Sequence, residues 1–151
     1  MRKFKFKLQT PLKVRQLIEQ TNKQKLSQAI ALKKREEQDL NKLQEADLMV
    51  RAQLDSHLAD FINSADLTFF HEYLTDLGFR IKRQREKLQE AEKLYELARL
   101  AFIASRKERK VLERVKEKKF ELYLIDANRE EQKISDEMAI LNACRKEGEF
   151  E

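Results

Sequence analysis

The sequence predicts an all-α fold: a long antiparallel two-helix coiled-coil hairpin whose second helix overhangs the first. Three observations carry this. The 151 residues include only 2 Gly and 1 Pro, too few turn formers for a many-turned sandwich or barrel. Charged residues make up 39% against 41% hydrophobic, the mix of long helices and coiled coils. A compact globule would have to bury too many of those charges, so an elongated chain is expected. Apolar residues also recur at alternating steps of three and four, the seam of a paired helix.

The chain reads as a single coiled-coil hairpin over 1–151: helix one at about 10–61, a turn at about 62–68, helix two at about 69–144 and a frayed tail over 145–151. Thr10-Pro11 opens the first helix, because the fixed φ of proline suits the first turn and its missing N–H has no partner there anyway. The first seam runs Leu26, Ala29, Lys33, Glu36, Leu40, Leu43, Asp47, Val50, Leu54, His57, Phe61. Its polar members Lys33, Glu36 and Asp47 predict loose packing. Asn63-Ser64-Ala65-Asp66 gathers turn and cap formers and marks the break. The second seam runs Leu74, Leu77, Ile81, Gln84, Leu88, Ala91, Tyr95, Ala98, Phe102, with Gly78 tolerated inside it. Beyond Leu112 and Val115 the phase shifts, and helical character continues to about Cys144.

Charge tests the hairpin independently. Residues 1–35, 36–78, 79–119 and 120–151 are in turn basic, acidic, basic and acidic. A fold at about residue 65 sets Glu36 to Asp47 beside Arg80 to Lys93, and the basic N-terminus beside Glu117 to Asp126. Opposite signs then face each other, which favours this register. A parallel homodimer of one long helix would set each block against its own copy.

Several function classes are disfavoured. The net charge of +5 is weak evidence for nucleic acid, and none is expected as a partner. With 2 His and 1 Cys an ordinary zinc site is not expected. Gly78 and Gly148 stand alone, so there is no phosphate loop. No cofactor, metal, catalytic residue or small-molecule substrate is expected, and the chain reads as a non-enzyme. The basic start lacks a following apolar run and no window of about 18 residues is free of charge, so a cytoplasmic protein without a membrane span is expected.

Four stretches invite a second reading. Phe4-Lys5-Phe6-Lys7-Leu8-Gln9 alternates as a surface-binding arm would, or as an arm whose phenylalanines pack on helix two. Around Phe120 to Ile125 helix two is apolar on more than one face. Phe120, Tyr123, Ala127, Ile134, Met138 and Leu141 form one stripe, with Leu122 and Ile125 well away from it. A two-helix hairpin covers one stripe, so the second face predicts the arm folding back or a partner. Opposite the stripe, Arg129, Gln132, Lys133 and Asp136 read by periodicity as solvated surface. The run from Arg106 to Lys119 is broken by Glu108, Glu113 and Glu117 at spacings that pair within a helix, and also reads as solvated. Phe69, Phe70 and Tyr73 follow the turn, either capping it or docking onto something.

Two terminal motifs and one central one resemble a known family. Phe4-x-Phe6-x-Leu8-Gln9-x-x-Leu12-x-x-Arg15 is similar to the opening of the flagellar FliJ family. Tyr73-Leu74-x-x-Leu77, followed by Arg83-x-x-Glu86-x-Leu88, resembles the start of its second helix. Asn128-Arg129-x-x-Gln132-Lys133-x-x-Asp136-Glu137-x-Ala139 resembles its C-terminal signature. The resemblance implies a stalk-like coiled coil of the flagellar type III export apparatus, with both termini at one end. Such a protein binds the hexameric export ATPase and promotes its assembly, contacts the export-gate membrane protein and escorts export chaperones. It would be cytoplasmic and peripherally associated with the inner membrane through the apparatus. By matching position it assigns ATPase contacts to Phe4, Phe6, Gln9, Arg15, Arg129, Gln132, Lys133, Asp136 and Glu137, and gate contacts to Tyr73 and Leu77. The alternatives are the equivalent stalk of a virulence secretion system and a nucleic-acid-binding coiled coil.

Overall fold

The structure, a computed structural model, describes residues 3–148. It is all-α: helix α1 spans Gln9–Ala59 and helix α2 spans Ser64–Gly148, and the two pack against each other. By their internal contacts the residues form two compact units, Glu19–Ala104 and Met1–Ile18 with Ser105–Glu151.

In the unit Glu19–Ala104 the seams are those the spacing predicts. On α1, the positions from Leu26 through Leu54 at alternating steps of three and four are withdrawn from solvent, and Asn22 extends the row backwards. On α2 the row from Leu74 to Phe102 is withdrawn, with Leu77 and Ala91 each 2% exposed. Two positions depart from expectation. His57, in the last turn of α1, is exposed and lies against the Phe70 ring at 5.8 Å, and Phe61 is 99% exposed because α1 ends at Ala59 before the seam reaches it.

The polar seam positions have partners, some across the seam and some within α1. Gln84, 7% exposed, donates from Nε2 to the Glu36 carbonyl at 3.1 Å and to its carboxylate. The Lys33 ammonium sits 5.2 Å from the Tyr95 ring centre and 3.8 Å from Glu37. Asp47 accepts from Arg51 at 2.8 Å, and this bond with its charge holds the guanidinium pKa above its ordinary value. Several charges are compensated within their own helix, as in Arg80–Asp76 and Arg99–Glu96, pairs worth about 0.2–0.5 kcal/mol each.

The turn comes earlier than the expected 62–68, at residues 60–63. Asp60 N–H donates to the His57 carbonyl at 3.1 Å, and Phe61 then takes a positive φ of 61°. This is the left-handed residue that commonly follows a helix, a place usually given to glycine. A residue with a Cβ is destabilised there by roughly 1–2 kcal/mol. The cap formers Ser64 and Asp66 therefore open α2 instead of lying in the turn, with Thr68 Oγ1 bonded back to the Ser64 carbonyl at 2.9 Å.

The earlier turn shifts the register. A fold at residue 65 would set Asn22 beside Glu108, but Asn22 Nδ2 donates to the Ala101 carbonyl at 3.4 Å. The difference is about two helical turns, one heptad, so each seam still faces a seam. At the far end α2 runs through Gly148, past the expected boundary at 144; the remainder of the expected tail lies outside the described residues.

Gly78 is exposed within α2, and a Cβ built there meets nothing within 4 Å. Gly78→Ala is expected to stabilise the protein by about 0.5–1 kcal/mol through reduced freedom of the unfolded chain. Thermal melting followed by circular dichroism should show a rise of about 2–4 °C.

Candidate functional site

The candidate site lies within the unit formed by Met1–Ile18 and Ser105–Glu151. Residues 3–6 have no regular secondary structure, a turn follows at 7–8, and α1 begins at Gln9. Gln9 N–H donates to the Phe6 carbonyl at 3.2 Å and Leu12 N–H to the Leu8 carbonyl at 3.0 Å, which ties the arm to the first helical turn. Phe4 and Phe6 are withdrawn from solvent while Lys3, Lys5 and Lys7 are exposed. Phe4 meets Phe120 edge-on at 5.2 Å and Tyr123 at 5.5 Å. Phe6 is 9% exposed, with the Lys119 ammonium 5.9 Å from its ring centre. Contacts of this kind contribute about 0.5–1.5 kcal/mol each beyond area burial.

Of the two readings of the arm, packing on helix two is the one observed. Phe4 and Phe6 anchor the arm on α2, and their rings are engaged within the chain. Gln9 is half-buried where the arm meets α1, and Leu12 beneath it is 3% exposed. Arg15 reaches across to the Glu108 carboxylate at 2.5 Å, and both side chains keep about half of their surface in water.

The arm covers α2 as far as Tyr123. Beyond Ala127, every described side chain from Asn128 to Arg145 is exposed. Arg129, Gln132, Lys133, Asp136 and Glu137 all stand in this stretch, with Arg129 near Asp126 at 3.9 Å. So do Ile134, Met138, Ile140 and Leu141, each 55–65% exposed. The second apolar face, Leu122 and Ile125 together with Leu124, is also uncovered. The structure thus brings the arm residues together on α2 and leaves the C-terminal signature open to water.

Two gate-contact candidates lie in the other unit and differ sharply. Tyr73 is 40% exposed, whereas Leu77 is 2% exposed, a seam residue with no surface left to offer. Its spacing in the Tyr73-Leu74-x-x-Leu77 motif reflects the coiled-coil core. The basic run also holds a surprise: Ser105 is buried, and Arg109 is half-buried and bonded to Glu113. Continuing the steps of three and four past Phe102 reaches Ser105, Arg109, Leu112 and Lys116, a signal hidden because most of these residues are polar.

Among the described residues no group of His, Cys, Asp or Glu could hold a metal ion. Among the described residues no helix is long and apolar enough to cross a membrane. The chain's single cysteine, Cys144, is free and exposed. Residues 4–148 match the family described as Flagellar FliJ protein. The chain belongs to the FliJ family. No curated protein and no solved structure gives a significant match. Membership makes this FliJ chain a component of the flagellar export apparatus, in a family of non-catalytic export components. The match spans both the arm and the exposed signature, so both ends of the site lie within the family's extent.

Proposed function

We propose that this FliJ-family chain acts as a central-stalk-like coiled coil that binds the hexameric export ATPase and promotes its assembly. It would also touch the export-gate membrane protein through Tyr73, escort export chaperones, and stay in the cytoplasm, held at the inner membrane by the apparatus. The observation that supports the ATPase reading is the exposed α2 stretch from Asn128 to Arg145. It carries polar groups on one face and exposed Ile134, Met138 and Leu141 on another, the mixture a protein interface uses. Phe4 and Phe6 serve this surface by pinning the arm beside it. Arg129, Gln132, Lys133, Asp136 and Glu137 supply its charges and amides, while Gln9 and Arg15, the latter bonded to Glu108, would add contacts further back along the same unit.

The test is a triple variant, Arg129→Ala, Gln132→Ala and Asp136→Ala. Alanine favours helix and these side chains support no packing, so circular dichroism and melting temperature should stay unchanged. Charge-assisted bonds in a desolvated interface contribute about 1.5–3 kcal/mol each. Stimulation of the purified export ATPase should therefore fall by at least about tenfold in apparent affinity. Stimulation equal to wild type would return this face to plain solvated surface.

A further inference from the structure

The turn between the helices has a feature the fold does not need. Phe61 is 99% exposed, so its ring contributes nothing to the core, and it occupies a left-handed position that glycine or asparagine would accept with less strain. Leu58 beside it is 51% exposed, and Leu67 and Phe69 on the first turns of α2 are 41% and 67% exposed. Phe69 contacts the Phe70 ring at 6.5 Å and Phe70 contacts His57, so the aromatic groups of the turn are partly braced against one another while Phe61 stands alone.

The charge around this patch is one-sided. Between Arg51 and Arg80 the sequence has no lysine or arginine, in a chain where 32 of 151 residues are Lys or Arg. The same stretch carries Asp55, Asp60, Asp66 and Glu72, while Asp76 at its far end is paired with Arg80. An anionic lipid surface or a nucleic acid would be repelled by it, and so would the same acidic turn of another copy. An apolar pocket rimmed by lysine or arginine is the complementary surface.

We propose that the turn is a docking point, with Phe61 as its anchor, for a protein partner that presents an apolar pocket with a basic rim. It lies in the unit Glu19–Ala104, which also carries Tyr73, and does not depend on the ATPase reading. The strained, exposed ring is an interface hot spot: a single aromatic that fills a pocket, surrounded by carboxylates that set orientation and association rate.

Phe61→Asn tests this in the full-length chain. Asparagine accepts the left-handed conformation, so the melting temperature should hold or rise and ATPase stimulation should match wild type. In cells that depend on this chain for flagellar export, secretion of flagellar subunits should fall by about tenfold or more, the scale of losing a hot spot. Phe61→Tyr, which keeps the ring, should restore it. The triple change Asp55→Asn, Asp60→Asn and Asp66→Asn should also reduce secretion while leaving the fold intact. A photocrosslinking phenylalanine analogue at position 61 should join a protein at a peptide containing lysine or arginine beside apolar residues. Normal secretion by Phe61→Asn or by the triple variant would overturn the proposal. So would crosslinks found only to lipid, to nucleic acid or to a second copy of this chain, or none at all. Because ATPase stimulation is read in the same variants, failure here is distinguishable from failure of the stalk reading.

Discussion

Leu77→Asp is expected to lower the unfolding free energy by at least about 3 kcal/mol, the largest effect of any single change considered. Leu77 is 2% exposed, and truncating a buried leucine to alanine already costs about 2–5 kcal/mol. Aspartate adds a carboxylate that must either leave the seam or stay unpaired within it. Urea titration followed by circular dichroism should show an earlier midpoint, with Leu77→Ala intermediate. Tyr73→Ala, at a side chain 40% exposed, should cost no more than about 1 kcal/mol. A Leu77→Ala variant as stable as wild type would show that this residue is not core. The pair separates two roles that share one motif, because a loss of gate binding by Leu77 variants would follow from unfolding rather than from a lost contact.

The second large effect concerns Gln84 and Glu36. Gln84→Leu leaves the Glu36 carboxylate beside an apolar group with its donor gone, and should destabilise by about 1–3 kcal/mol. The double change Gln84→Leu and Glu36→Leu should recover that loss and exceed wild type, since a well-packed apolar pair often outperforms a buried polar one. Its cost falls on specificity, because a polar pair in a seam fixes register. Spin labels at positions 41 and 82, both exposed and in the same unit, should give one narrow distance distribution in the wild type. In the double variant a second population should appear, displaced by about 10 Å along the helix axis, the rise of seven residues. A single unshifted distribution would assign register to the turn alone.

The hairpin and its two seams were legible because burial on a helix imposes a spacing that sequence displays directly, from Leu26 to Leu54 and from Leu74 to Phe102. Register was not, because a seam repeats every heptad, so spacing alone does not separate pairing Asn22 with Ala101, as observed, from pairing it with Glu108. The charge blocks are too long to separate those choices. The turn lies ahead of the cap formers because Phe61 occupies a position that propensity gives to glycine. The seam beyond Phe102 was hidden because Ser105 and Arg109 are polar. In the candidate site, alternation at Phe4 and Phe6 left packing and contact both open. Periodicity could say that Arg129 and Asp136 share an outward face, but not what that face is for. Their assignment came from motif resemblance, and the structure adds that the face is uncovered.

The heptad match between the helices also constrains how such a chain can change length. A single inserted residue in α1 rotates everything after it by about 100° and turns the seam toward water. Seven residues inserted in α1 alone, between Glu36 and the turn, keep the seam but carry Glu36 past Gln84 by two turns. A duplication of seven residues in each helix, at facing levels on the same side of that pair, preserves both burial and pairing. Lengthening is therefore quantised, in matched increments of about 10 Å. Relatives or engineered variants of different length should differ by such paired insertions, while Gln84 and Glu36 keep their distance from each other across the seam.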